Sequence, residues 1–333
     1  MTDHEEFFSF TRVWPDQFDA LVELVKPHLL KTSRRKPLET ELRLALTLSY
    51  VHCILPRLPT SLYLKLSFRF QKWNRVARGF LHKWQFPNCL GGLDGKHVMI
   101  KAPWSSGTQY YNYKKRFSIV LMATCDASYR FTWIDVGQYG SISDGGVCGY
   151  SDLCSALNAD QVDLPPPKKL PGSDRTTHFK FVGDAAFPLT KFTLTPYPGN
   201  NLDPAKRIFN YRLSRARRCI ENAFGLLSSR FQIFHRTLAW HPSDVTSIVN
   251  ATVCLHNCIM DTEAAYLEEA RRYSALSDWQ RIPREIRNAD VARNSRLAVE
   301  ERDVLRDYFI SPTGNGQAPW QYNLAYRGHN INR

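Results

Sequence analysis

Three acidic side chains of this 333-residue chain stand where a carboxylate could bind a metal ion. Asp94 lies inside an apolar stretch, and Asp184 ends another. Glu221 is the only acid in segment 204–239, which carries eight Lys or Arg residues. A carboxylate in a buried strand is costly unless it is paired or binds a metal. Because Mg²⁺ takes oxygen ligands, Asp94, Asp184 and Glu221 are candidate metal ligands.

Each of these acids could instead form a structural ion pair. Two arginines lie three and four residues before Glu221, which is the spacing of ion pairs within one helix. Asp94 has only Lys96 nearby, two residues along the predicted strand, and Asp184 has no local partner in the sequence. The residues alone therefore leave a shared metal site and structural ion pairs both open.

Basic residues flank the three acids in two groups. One group follows the long predicted helix, and the other forms an acid-free patch that also holds Tyr110, Tyr111 and Tyr113. Basic and aromatic side chains together suit contact with a phosphate backbone and stacking on splayed bases, although each alone could be a solvated surface. The predicted DNA-binding residues are Lys101, Lys114, Lys115, Arg116, Arg212, Arg215, Arg217 and Arg218.

The order of predicted elements brings two of the acids together. Three strands come first, the last two joined by a tight turn at 126–128, and Asp94 lies on the first. A short helix, a strand with Asp184 and a long helix with Glu221 follow. This order is that of an RNase H-like fold, in which the first and fourth strands are neighbours. Two metal ions about 4 Å apart could then hold the attacking and leaving oxygens of a phosphoryl displacement.

The predicted fold class is therefore α/β, an RNase H-like mixed sheet flanked by helices, with a small N-terminal helical region. Valine, isoleucine, phenylalanine and threonine mark the strands, and apolar spacing marks the helices. The predicted strands are 90–103, 116–128, 129–140, 179–187 and 230–238, and the predicted helices are 38–55, 60 or 61 to 84, 143–157, 204–227 and 245–260.

Composition and charge narrow the class of partner. The hydrophobic fraction of 43% and the charged fraction of 23% are those of a globular protein. A net charge of +13 favours a polyanionic partner, because each neutralised phosphate releases counterions. No run of 18 or more apolar residues occurs, so no membrane partner is expected. Residues 1–10 are acidic overall and do not resemble a secretory signal.

The eight cysteines are scattered without a framework of spacings, which predicts reduced thiols rather than disulfides. Cys254, His256 and Cys258 have the residue types of a metal site. They lie in an apolar predicted helix with no second ligand pair nearby, so packing is the favoured interpretation.

Long strings of the chain resemble the transposases of the PIF/Harbinger superfamily and the nucleases domesticated from them. The matching strings are KWQFPNCLGGLDGKHVMIKAP, FKFVGDAAFPL, RIFNYRLSRARRCIENAFGLLSSRF and the later CLHN, within about residues 72–260. The resemblance implies an RNase H-like DDE nuclease domain that binds Mg²⁺, with Mn²⁺ as an alternative. It also implies that Asp94, Asp184 and Glu221 are the catalytic, metal-binding residues.

The function implied is a metal-dependent DNA endonuclease or transposase-derived nuclease, which hydrolyses or transfers phosphodiester bonds by a two-metal DDE mechanism. The alternative is a domesticated, catalytically inactive DNA-binding or regulatory protein. Relatives work with a Myb-like DNA-binding protein, so such a partner is expected, and a homodimer is compatible with the sequence. The expected location is the nucleus, with the cytoplasm as a further possibility.

One departure from the family concerns the choice of DNA target. Residues 52–71 make up most of the gap between the LRLALTLSY string of the first predicted helix and the KWQFPNCLGG string, where relatives carry a longer helix-turn-helix region. Sequence-specific DNA binding by this chain alone is therefore in doubt. The predicted divisions are a leader (1–37), a helical region with a shortened helix-turn-helix (38–86), the RNase H-like DDE nuclease domain (87–262) and a C-terminal extension (263–333).

Overall fold

A β-sheet lies at the centre of the part of the chain described by the computed structural model. That part comprises residues 13–28, 70–263 and 296–326, with residues 7, 11, 39–42, 44 and 45. Five strands form the sheet in the order β3-β2-β1-β6-β7, and β4 and β5 pair separately. The strands are β1 (Cys89–Met99), β2 (Ser118–Cys125), β3 (Phe131–Tyr139), β4 (Lys168–Lys169), β5 (Thr176–Thr177), β6 (Lys180–Val182) and β7 (Thr193–Leu194).

The strand directions make the sheet mixed. β2 runs antiparallel to both β1 and β3, whereas β6 runs parallel to both β1 and β7. Asp126 stabilises the turn between β2 and β3, because its Oδ1 accepts hydrogen bonds from the Ser128 and Arg130 amides. The predicted hairpin and the predicted pairing of the first and fourth strands are both confirmed.

Helices cover both faces of this sheet, which confirms the predicted mixed α/β class. β2 is buried along its whole length, and its residues alternate between two apolar clusters. None of the helices in the described ranges is long and apolar enough to cross a bilayer. The helices are α1 (Pro15–Val25), α2 (Phe70–Trp84), α3 (Asp144–Tyr150), α4 (Asp152–Asn158), α5 (Pro204–Arg230), α6 (Pro242–Glu263), α7 (Arg296–Ile310), α8 (Pro312–Gly316) and α9 (Gln321–Ala325).

Two local predictions are wrong. Segment 230–238, predicted as a strand, contains the 3-10 helix Gln232–His235. Its buried residues are Arg230, Phe231 and Leu238, so the segment lacks the alternating buried face of a strand. The predicted helix 143–157 is two helices, because Ser151 has an extended backbone and its side chain caps α4.

Helices from the predicted leader and from the predicted C-terminal extension pack into the same hydrophobic core as the sheet, and the predicted divisions of the chain stay predictions. Phe18 and Leu21 of α1 are buried in the main apolar cluster, as are Leu305 and Phe309 of α7. Each segment contributes one apolar helix face, and burial of that face joins it to the domain. Most of the helix predicted at 38–55 and the first part of the next predicted helix lie outside the described residues.

A buried ion pair connects α7 to β6. The Lys180 side chain is 2% exposed, and its Nζ lies 2.7 Å from Glu301 Oε2. Glu301 Oε1 accepts a hydrogen bond from the backbone amide of His178, at 2.9 Å. The same oxygen lies 2.6 Å from Nδ1 of the His178 ring. The carbonyl of Lys191 accepts a second hydrogen bond from Lys180 Nζ. These contacts compensate for the burial of two charges beside the strand that leads to Asp184.

The string CLHN on α6 has a structural role. Asn257 donates to the Phe131 carbonyl and accepts from the Phe131 amide, so it fixes the first residue of β3. The buried His256 ring contacts the Tyr129 carbonyl through Nε2 at 2.9 Å. Burial, together with the charge of Arg230, lowers the pKa of His256 to about 3, so the ring is neutral at physiological pH. These contacts are those of packing, as the sequence favoured.

Replacing Glu301 with alanine should destabilise the protein by about 3–5 kcal/mol, because Lys180 would remain buried without its counterion. Urea unfolding of the purified chain measures the change. The neighbouring Glu300→Ala is the matched control, since the Arg296–Glu300 pair is exposed and should be worth at most about 1 kcal/mol. Equal losses from the two variants would contradict the assigned role of Glu301.

The neutral His256 should also make stability depend on pH. Its folded pKa lies below the unfolded value, so the unfolded state binds the proton first as the pH falls. The free energy of unfolding should therefore decrease from about pH 6.5 downwards, by up to about 1.4 kcal/mol per pH unit from this residue. His256→Gln should remove that part of the slope in urea titrations at pH 4–7. A variant with the wild-type slope would show that His256 is not responsible.

Candidate catalytic site

The parallel pairing of β1 and β6 places two of the predicted site residues at matching positions. Gly92 is in register with Val182, and Asp94 and Asp184 each lie two residues further along. The Asp94 side chain is 17% exposed, and its Oδ1 accepts a hydrogen bond from the Gly95 amide. Asp184 Oδ1 accepts one from the amide of Ala186. The sheet thus brings both carboxylates to the same level, Asp94 in the middle of β1 and Asp184 just beyond the C-terminal end of β6.

Helix α5 brings the third acid to the same place. It packs closely on β1 at Gly92, where a Cβ atom would lie 2.9 Å from Cys219 Sγ and 3.1 Å from Ile220 Cγ2. A larger residue at this position would push the helix away from the strand. Glu221 follows directly after these contacts, and its side chain is 44% exposed. Close helix packing at a glycine therefore sets how near Glu221 comes to Asp94.

A fourth acid, Asp144 at the start of α3, belongs to the same site. Its carboxylate lies directly over Gly95, where any Cβ atom would collide with Asp144 Oδ1. Sequence analysis did not single out Asp144 as a site residue, and the side chain that caps α3 is that of Ser143. The flanking glycines of SISDGG were the available signal, but contact with β1 needs the tertiary fold. We refer to Asp94, Asp144, Asp184 and Glu221 as the carboxylate cluster.

Arg217 lies between two members of the cluster. Its Nη1 is 2.6 Å from Glu221 Oε1 and 3.5 Å from Asp94 Oδ2, and its side chain is 19% exposed. The ion pair with Glu221 spans one helical turn, which is one of the two interpretations that the sequence left open. The contact with Asp94 joins α5 to β1 and could not be read from local spacing.

The cluster carries more negative charge than its surroundings compensate. Burial raises the pKa of Asp94 to about 7; Arg217 opposes this rise, and the charge of Asp184 adds to it. Burial also raises the pKa of Asp144 to about 6, with a further contribution from Asp184 and an opposing one from Lys114. Burial is the main cause of both shifts and the neighbouring carboxylates add to it, so both groups hold their protons to a higher pH than an exposed aspartate.

The cluster does not form a complete metal site in this conformation. Among the described residues, no group of three or more Asp, Glu, His or Cys side chains lies in positions that could hold one metal ion. Arg217 Nη1 contacts the oxygens of Asp94 and Glu221 instead. The structure therefore gathers the predicted residues in one region of the sheet without placing them around a common ligand position.

The predicted DNA-binding residues fall into two structural groups. Arg212 is fully buried, so the prediction that it contacts DNA is wrong; it donates to Gln321 and to the Gln85 carbonyl, and its guanidinium stacks on Phe309. The inward face of α5 explains this burial, because Leu213 and Phe209 are buried beside it.

The other predicted DNA-binding residues of α5 are Arg215, Arg217 and Arg218, which are partly buried. Arg215 Nη1 donates to the Gln85 side chain, and its guanidinium lies 4.1 Å from the Trp320 ring centroid. The basic residues between β1 and β2 are exposed instead, and for these DNA contact stays a prediction. The exposed residues are Lys101, Lys114, Lys115 and Arg116.

Comparison with known proteins agrees with this site. Residues 93–257 match a family described as DDE superfamily endonuclease. An Arabidopsis thaliana relative, "Protein ALP1-like", is 31% identical over 226 residues, which cover 66% of this chain and 52% of the relative. The human relative "Putative nuclease HARBI1" is 27% identical over 178 residues, which cover 53% of this chain and 47% of the relative. No solved structure matches the chain.

The chain spans about half the length of the curated relatives it matches. The matched region begins within β1 and ends within α6, so it includes the whole carboxylate cluster and Arg217. The resemblance to Harbinger transposases and their derived nucleases is thereby confirmed. The chain carries a DDE superfamily endonuclease domain and is a relative of the Harbinger transposase-derived nucleases.

Proposed function

We propose that this protein is a metal-dependent DNA endonuclease in which Asp94, Asp184 and Glu221 are the catalytic residues. The observation that carries the proposal is the placement of Asp94 and Asp184 at matching positions on adjacent parallel strands, with Glu221 joined to Asp94 through Arg217. The strand order 3-2-1-6-7, with one parallel junction beside β1, supports an RNase H-like fold. The DDE endonuclease match supports nuclease chemistry.

The donor set fits a divalent cation by its chemistry. Carboxylate oxygens are the ligands of Mg²⁺ and Mn²⁺, and the raised pKa of Asp94 reports the shortage of positive charge that such a cation would correct. Asp94, Asp184 and Glu221 would hold it. When bound, the cation stabilises charge on the attacking and leaving oxygens of a phosphodiester.

Arg217 has two roles in this proposal. Without metal, its guanidinium neutralises Asp94 and Glu221 and keeps the cluster compact. A cation held by Asp94 and Glu221 would compete with Arg217 for these carboxylates, and Arg217 would then give up at least one of the two contacts. Its planar donor group is then free to bind a DNA phosphate. Arg217 therefore competes with the metal for the same ligands.

The other basic residues would bind and orient the substrate. Lys101, Lys114, Lys115 and Arg116 are exposed beside the cluster, and we assign them contacts with the phosphate backbone. Target choice would come from a Myb-like DNA-binding partner, and the protein would act in the nucleus. A homodimer would present two such sites to one DNA molecule.

A catalytically inactive DNA-binding protein is the second candidate. The observation that favours it is the ion pairing of Asp94 and Glu221 with Arg217, which leaves no complete metal site among the described residues. The two candidates differ in metal binding and in cleavage, while both predict salt-dependent DNA binding.

Single alanine substitutions of Asp94, Asp184 and Glu221 should each lower Mg²⁺-dependent DNA cleavage by about 10³-fold or more. This factor corresponds to about 4 kcal/mol of lost transition-state stabilisation. Nicking of supercoiled DNA, with the expected partner present, measures the effect. Asp174→Ala is the matched control, because Asp174 is exposed and pairs only with Lys169 at the surface. Wild-type activity in the Asp94 variant would refute the catalytic assignment.

Arg217→Gln should bind Mn²⁺ about tenfold more tightly than the wild type, because the competing guanidinium is removed. Isothermal titration without DNA measures this affinity independently of cleavage. Arg218→Gln is the control, since Arg218 is the adjacent helix position and has no ion pair with the cluster among the described contacts. Unchanged affinity in Arg217→Gln would show that the arginine does not compete with metal.

A further inference from the structure

The β1–β2 loop, residues 101–117, exposes large aromatic side chains among positive charges. Trp104 is 97% exposed and Tyr113 is 72% exposed, whereas such rings are largely buried in most proteins. The loop contains no Asp or Glu. A surface that is both aromatic and uniformly positive fits a partner that is anionic and carries flat rings. Its exposed basic residues are Lys101, Lys114, Lys115 and Arg116.

Hydrogen bonds hold the second half of this loop in one conformation. The buried Asn112 side chain donates to Ser118 Oγ at 2.9 Å. Its Oδ1 accepts from the backbone amides of Lys114, at 2.9 Å, and Arg116, at 3.1 Å. Because the backbone is already ordered, Tyr113 and its basic neighbours lose little conformational freedom when a partner binds.

The loop also lies next to the carboxylate cluster. The Tyr113 ring packs edge-on against His97, with 5.5 Å between the ring centroids. His97 shares one face of β1 with Gly95, and Asp144 of the carboxylate cluster lies over Gly95. Lys114 is close enough to Asp144 to oppose the rise of its pKa. A DNA strand with a phosphate at the cluster would therefore pass along the loop.

We propose that the β1–β2 loop binds unpaired DNA bases beside the cleavage position. Trp104 and Tyr113 stack on the bases, and Lys114, Lys115 and Arg116 contact the adjacent phosphates. This inference rests on the proposed function, because it takes DNA as the substrate. It adds the form of that DNA: a nick, gap or flap with unpaired bases, rather than an uninterrupted duplex.

The exposed rings are the reason for proposing that the bound DNA has unpaired bases. Bases inside a duplex already stack on their neighbours, so a protein ring gains stacking only where a base is free. A duplex alone would need the lysines and the arginine but not a fully exposed tryptophan. An anionic membrane could also use tryptophan with lysine. The contact between Tyr113 and His97 beside the cluster favours DNA.

Fluorescence anisotropy of labelled DNA in EDTA tests the proposal without cleavage. The full chain should bind a gapped duplex more tightly than the intact duplex of the same sequence and length. Trp104→Ala should lose most of that preference, by a factor between about 5 and 150, while its affinity for the intact duplex changes less than about twofold. Trp104→Phe should keep part of the preference, because a ring remains.

Two control variants separate stacking from charge and from folding. Tyr150→Ala removes a 77% exposed ring on α3, outside the loop. It should change neither the affinity for gapped duplex nor the affinity for intact duplex. Lys114→Gln should weaken both DNA forms by the same factor and lower the salt slope by about 0.9 for the duplex. Unchanged melting temperatures would confirm that all variants are folded.

Several results would overturn the proposal. Base stacking by the loop would be excluded if the wild type bound gapped and intact duplex with equal affinity. It would also be excluded if Trp104→Ala weakened binding to both DNA forms by the same factor. If Trp104→Ala instead lost binding to phosphatidylserine vesicles and kept the preference for gapped DNA, the loop would be a membrane contact. In each case, Mg²⁺-dependent cleavage by the wild type would leave the proposed function standing. Absence of any DNA binding would overturn both.

Discussion

The parallel pairing of β1 with β6 is the contact on which the rest of the site depends. It involves only the pairs of Cys89, Gly91 and Gly92 with residues 180–182, yet it sets Asp184 beside Asp94. A slip of one residue would turn Asp184 to the opposite face of the sheet. So short a strand needs support from outside the sheet. The buried Lys180–Glu301 ion pair provides it, so helix α7 stabilises a site that it does not touch.

The carboxylate cluster is a concentration of negative charge in a partly buried place, which costs stability in the absence of a cation. Burial and repulsion raise the pKa of Asp94 and Asp144, and Arg217 offsets only part of that effect. A strained electrostatic arrangement of this kind is typical of a functional site whose missing charge arrives with its ligand.

The basic residues of the chain serve two different purposes. Those on α5 are largely turned inward: Arg212 stacks on Phe309 and Arg215 on Trp320, so they hold the C-terminal helices in place. The charge available to a polyanion lies mainly on the β1–β2 loop, where the lysines are exposed beside Trp104. The net charge of +13 is therefore an imperfect guide to the size of the DNA-binding surface.

Residue types and spacing were enough to predict the β2–β3 hairpin, the pairing of the first and fourth strands and three of the four clustered acids as candidates, because these follow from local apolar patterns and ordered motifs. The edge strand β7 was not predicted, since only two residues form it. Tertiary structure decided the rest. Asp144 joins the cluster only through Gly95, about fifty residues away in sequence, and Arg212 turns inward only because α7 packs against its helix face. Both depend on contacts between distant segments, and local periodicity carries no information about which distant side chain will fill a given space.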